Sequence, residues 1–156
     1  METQQNQQEW QQVAEVRISY QNPVRPSQRP KLTSSKEVFA LLLTCWNAER
    51  IEYAEEFKIL LLNTGNRVLG IYQVSAGGID ATPVDAKIIF TAALMANASA
   101  LILVHNHPSG NLVPSDPDIL LTKKIDQAAR LLDIRVLDHL IISPDGYYSF
   151  KDSGRL

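Results

Sequence analysis

Apolar residues along the chain fall into blocks whose spacing predicts strands interspersed with helices. Ala14, Val16, Ile18 and Tyr20 alternate with Glu15, Arg17 and Ser19, the two-residue period of a half-buried strand. Pro23, Pro26 and Pro30 then disfavour any regular element, so residues 21–31 read as a linker. Thr33-Ser34-Ser35-Lys36-Glu37 carries a helix-capping signal and is followed by an apolar run to Trp46. Between Glu55 and Asn63, Phe57 to Leu62 form a nearly continuous apolar strand of the central-sheet kind. Thr64-Gly65-Asn66 turns the chain into an antiparallel partner strand, Val68 to Val74. Gly77-Gly78 breaks that pattern, and Pro83 starts an alanine-dense helix to Ala96. Ala100 to Val104 is a second buried strand that runs directly into His105-Asn106-His107-Pro108-Ser109-Gly110. A helix from Ser115 or Pro117 to about Leu132 follows, then a strand from Ile134 to Ile142, a turn at Asp145-Gly146 and a closing strand at Tyr147–Phe150. Interspersed strands and helices make the class α/β or α+β with a mixed sheet.

Composition narrows the setting. A chain of 156 residues suits one domain with a hydrophobic core, and 45% hydrophobic with 21% charged residues is ordinary for a globular protein. A net charge of -2 gives no strong pull toward nucleic acid or anionic membrane. The single cysteine, Cys45, excludes an intrachain disulfide and any multi-cysteine metal site, and it reads as a small core residue. No basic segment followed by an apolar one opens the chain, and no apolar run is long enough for a bilayer, so a cytoplasmic location is expected. Residues 1–12 hold six glutamines around Trp10 and read as a partly ordered arm. The apolar strands Phe57–Leu62 and Val68–Val74 leave open a homodimer formed through a sheet edge.

The chemistry concentrates late in the chain. All three histidines lie between positions 105 and 139. His105 and His107, two apart at a strand end, point to the same side and can supply half of a tetrahedral zinc shell. Pro108-Ser109-Gly110 turns the chain, and the polar loop beyond it can bring Ser115, Asp116 or Asp118 back toward the two rings. Asp118 as third ligand leaves a fourth position for water, the arrangement of a catalytic site. Ser115 is also a natural helix N-cap whose hydroxyl can point at a developing oxyanion. A water so bound needs a base, and Glu55 or Glu56, just before the apolar strand, is placed to serve. Asp138-His139 reads either as a buried histidine paired with a neighbouring carbonyl or as a support to the metal pocket, not as a ligand.

These residues resemble a known pattern. His105-x-His107, seven intervening residues, Ser115-x-x-Asp118 and an upstream glutamate are similar to the JAMM (MPN+/JAB) zinc metallopeptidase motif. More narrowly, His105 to Gly110, Pro114-Ser115, Asp118, Asp133 to His139 and Gly146 to Phe150 resemble the JAB domain of RadC-type proteins over residues 33 to 152. The resemblance implies a cytidine-deaminase-like, three-layer α/β fold over residues 32–156, with residues 1–31 as an N-terminal arm and linker. It implies one zinc per chain on His105, His107 and Asp118, Glu55 as acid/base with Glu56 next in line, and Ser115 as oxyanion stabiliser. It also implies peptide or isopeptide hydrolysis on a peptide or protein substrate, together with the historical association of RadC-type proteins with DNA repair. Full-length RadC-type proteins add an N-terminal helix-hairpin-helix module that Met1 to Pro30, short and rich in Gln and Pro, does not match. A DNA-associated or non-catalytic accessory role on the same metal-binding fold is the alternative reading. A nucleobase deaminase is excluded, because position 107 is His rather than Glu and the cysteine pair is missing.

Overall fold

The computed structural model describes residues 14, 16–78 and 82–156. Among the described residues a short 3-10 helix, Pro26–Gln28, lies in the stretch expected as a linker. Three α-helices and five strands then follow one another as α1 (Ser35–Cys45), β1 (Glu56–Leu62), β2 (Val68–Ala76), α2 (Ala86–Met95), β3 (Ala100–Asn106), α3 (Asp116–Leu131), β4 (Arg135–Ser143) and β5 (Gly146–Ser149). The strands form one mixed sheet in the order β2-β1-β3-β4-β5, in which only the β3–β4 pair is parallel.

The sheet is covered on both faces, and this explains why β1 and β3 are buried at every position and carry the unbroken apolar blocks Ile59–Leu62 and Ala100–Val104. Ile59, Leu61, Leu101 and Leu103 point to one face and pack against Ile89, Phe90 and Ala93 of α2 and Ile125 and Ala129 of α3. Leu60, Leu62, Ile102 and Val104, one residue out of phase, point to the other face and pack on Val38 and Leu42 of α1 and on Trp46. The result is the three-layer α/β architecture expected from the sequence. That parity also assigns the site: odd-numbered residues near the ends of β1 and β3 face α3, and even-numbered ones face α1.

Several sequence expectations are corrected. The strand expected over Ala14–Tyr20 does not form among its described residues, 14 and 16–20, and Val16 and Ile18 are 84% and 74% exposed in irregular backbone. Alternation alone cannot hold a strand without a neighbouring ladder. Here the segment meets the sheet through the Tyr20 hydroxyl and the Asn22 side-chain amide, which both donate to the Leu69 carbonyl. Helix α2 starts at Ala86 rather than Pro83, because the Asp85 side chain caps it by accepting from the Lys87 amide at 2.9 Å. Cys45 is exposed, not core, at the C-terminal end of α1. Strand β3 continues past Val104 through Asn106, paired with β1 on one side and β4 on the other. The arm around Trp10 lies outside the described residues. Among the described residues no helix is long and apolar enough to cross a membrane.

Candidate metal centre

Because β3 runs on, His105 is a strand residue, opposite Phe57 of β1 and Ile141 of β4. Its side chain is buried, and its ring stacks parallel to that of Phe57 at 5.8 Å. His107 follows just past the strand end, held by its amide to the Ile142 carbonyl. A tight turn then closes through the Gly110 amide onto the His107 carbonyl, with Gly110 at φ +78°, a backbone region that a side chain disfavours. The turn brings the Asn111 carbonyl onto Nδ1 of His107, which therefore carries the proton. Nε2 of His107 is left with a bare lone pair.

Helix α3 supplies the carboxylate. Ser115 is its N-cap, accepting from the Asp118 amide, while Asp118 Oδ2 accepts from the Ser115 amide and hydroxyl at 2.7 Å each. This reciprocal box fixes the Asp118 rotamer. Asp118 Oδ1 then lies 3.3 Å from His105 Nε2, and Oδ2 lies 3.7 Å from His107 Nε2. The two Nε2 atoms are 3.0 Å apart. His105, His107 and Asp118 thus bring one ligand atom each within 4.8 Å of the others. Asp116 is exposed at the start of the helix and outside this cluster.

The donor chemistry fits a divalent metal ion. Two imidazole nitrogens and a carboxylate converge on one point, and without a positive charge there the lone pairs would repel. Burial opposes ionisation of Asp118, but the charge and hydrogen bond that His105 supplies when protonated, with the Ser115 hydroxyl and amide, outweigh it and hold the carboxyl far below its ordinary range. Burial also pushes His107 below the usual histidine value of 6.5, against the opposing pull of the Asn111 carbonyl. Both shifts favour the ligating forms. As pH falls, a proton competes for the His107 nitrogen while Asp118 stays ionised, so metal affinity should decline as His107 is protonated, below pH 6.5. Competition titrations at pH 8, 7 and 6 would show little change over the first step; a large loss there would refute this.

Two of the three ligands, His107 and Asp118, line an open cavity of about 760 Å³. Glu55, Ser115, His107 and Asp118 line its polar side, and Val84 and Leu121 contribute apolar wall. Glu55 shares the parity of Phe57 and belongs to this face. Glu56 belongs to the other: its carboxylate is 2.6 Å from Arg50 Nε and 3.4 Å from Lys58 Nζ, and Lys58 in turn sits over the Trp46 ring. The parity of a strand therefore separates two adjacent glutamates that the sequence alone leaves together.

Two buried residues at the site escaped the sequence reading. Asn106, between the histidines, points to the opposite face and is fully buried. Its Oδ1 accepts from the Glu56 amide at 2.7 Å, and its Nδ2 donates to the Ile51 and Ala54 carbonyls at 2.8 and 2.9 Å. It thereby ties the segment carrying Glu55 to the strand carrying the ligands. Thr122 lies one turn beyond Asp118 on α3, and its hydroxyl is 2.6 Å from His139 Nδ1. His139 itself is buried against His105, not paired with a carbonyl. The i,i+4 spacing of Asp118 and Thr122 was the available signal.

Comparison with known proteins agrees with the fold. The RadC-like JAB domain family matches residues 32–155. A UPF0758 protein of Flavobacterium johnsoniae is 46% identical over 124 residues, covering 80% of this chain and 53% of the relative. One from Porphyromonas gingivalis is 47% identical over 103 residues, 65% of this chain and 45% of the relative. A third, from Methanosarcina mazei, is 40% identical over 124 residues, 80% and 53% of the two chains. The chain belongs to the RadC-like JAB domain family, and it spans about half the length of the curated relatives it matches.

Proposed function

We propose that this chain is a zinc-dependent hydrolase of the metallopeptidase or isopeptidase type, acting on a peptide or protein substrate. The observation that carries the reading is the convergence of His105 Nε2, His107 Nε2 and the Asp118 carboxylate, with His107 and Asp118 lining a cavity that Glu55 also lines. When bound, zinc supplies Lewis acidity and lowers the pKa of a water toward neutrality. His105, His107 and Asp118 would hold the ion. Glu55 takes the proton of the attacking water and delivers it to the leaving amine, as a general base and then a general acid. The Ser115 hydroxyl holds Asp118 in the ground state and borders the space where a carbonyl oxygen would gain charge.

The test begins with the metal. Elemental analysis of the pure protein should give about one zinc per chain. His105→Ala should abolish it, and unchanged occupancy in that variant would overturn the site. A peptide-library cleavage assay with and without chelator then examines the chemistry. Cleavage that disappears with chelator and returns with zinc supports the hydrolase. Full zinc occupancy without cleavage would instead point to a binding module.

A further inference from the structure

We propose that His139 and Thr122 are positioning residues, a hydrogen-bond relay that locks His105 in the tautomer able to ligate a metal and joins it to Asp118. The inference rests on the metal reading of the site but concerns residues outside the ligand set.

The relay can be directed from one end. Thr122 Oγ1 is 2.7 Å from the backbone carbonyl of Asp118, an oxygen that can only accept. The single hydroxyl proton of Thr122 is therefore used there. Thr122 Oγ1 must then accept across its 2.6 Å contact with His139, so His139 Nδ1 carries a proton. A neutral His139 ring, enclosed in the core, has a bare Nε2. That atom is 2.8 Å from His105 Nδ1, which must donate to it. His105 Nε2 is left with its lone pair, and this is the atom that faces Asp118 and His107. One hydroxyl thus sets two tautomers in succession.

Packing keeps the rings from turning. Phe57 stacks on His105 within 8° of parallel, and Phe150 stacks on His139 at 4.7 Å and within 11°. His139 cannot join the ligand set in this arrangement, because its Nε2 is spent on the far edge of His105. The chain of bonds also closes on itself: it leaves one ligand, His105, and ends on the backbone of another, Asp118. Helix α3 and strand β3 are thereby coupled at the metal centre, the outer-shell arrangement that typically affects metal affinity about 10–100-fold.

The experiment uses the full chain labelled with ¹⁵N at its histidines, of which there are only three. Long-range ¹⁵N–¹H correlation spectra at pH 8, before and after adding zinc, report which ring nitrogen carries each proton. The expected result is protonated Nδ1 at both His105 and His139 in the metal-free protein, with His105 Nε2 shifting on zinc addition. A proton on Nε2 of His139 would overturn the relay. Thr122→Val, which keeps the shape and removes the hydroxyl, should mix the tautomers of His139 and His105. It should also weaken zinc binding about 10–100-fold in a chelator competition. Thr122→Ser should restore both. If Thr122→Val lowers only the melting temperature while tautomers and affinity persist, Thr122 is structural and the proposal fails. Should Thr122→Val not fold, the unmodified protein's tautomers decide. Protein that shows the tautomers yet binds no zinc refutes the metal reading and leaves the hydrogen-bond relay standing.

Discussion

Exchanging Glu55 for glutamine should leave zinc content unchanged and lower peptide hydrolysis by about 10²–10⁴-fold, the range contributed by a positioned general acid or base. The prediction depends on which face of the sheet each glutamate occupies. Glu55 precedes β1 in the phase of Phe57, whose ring lies against His105, and it lines the cavity with His107 and Asp118. Glu56, in the opposite phase, is buried and engaged with Arg50 and Lys58. Glu56→Gln is therefore the informative control. It should keep turnover and lose about 2 kcal/mol of stability, because a hydrogen bond to charged partners is weakened in a buried setting. Zinc analysis, steady-state kinetics and urea unfolding on both variants separate the two effects. If Glu56→Gln rather than Glu55→Gln loses turnover while keeping zinc, the assignment of the base is reversed.

Much of the fold was legible because its strongest signals are local. The apolar blocks Ile59–Leu62 and Ala100–Val104 of β1 and β3 have no polar break, and only a sheet buried on both faces accommodates such strands. The capping signals of Ser34 and Ser115 marked two helix starts within a residue. The failure at Ala14–Tyr20 has the same origin. A period of two reports that a strand would have a dry face, not that a neighbouring strand exists to pair with it. At the site, His105 and His107 were legible because both come from one strand end, where spacing fixes direction. Asp118 was harder: choosing it over Asp116 needs the helix phase set by the Ser115 box. Asn106, Thr122 and His139 act across elements brought together only by the β1–β3–β4 register, and no short-range pattern encodes that register.

Asn106 gives the largest expected effect outside the cavity. Replacing it with alanine should destabilise the protein by about 3 kcal/mol or more. The substitution leaves one amide and two carbonyls without partners in a dry layer, at about 1–3 kcal/mol for each group that water cannot reach. For a chain of this size that corresponds to a fall in melting temperature of about 6–12 °C. Asn106→Asp should be no better, although it preserves the acceptor for the Glu56 amide. Its second oxygen would face the carbonyls of Ile51 and Ala54 at the distances where Nδ2 now donates, placing acceptor against acceptor. Function should respond separately from stability. The tethered segment delivers Glu55 to the cavity, while the ligands are held by β3, the turn at Gly110 and the Ser115 box. Zinc content of Asn106→Ala measured below its melting transition should therefore stay near that of the unmodified protein, with turnover falling as the Glu55 segment loosens. Loss of zinc at a temperature where the variant remains folded would show that Asn106 supports the ligands themselves, and that the tether to the Glu55 segment is not its main role.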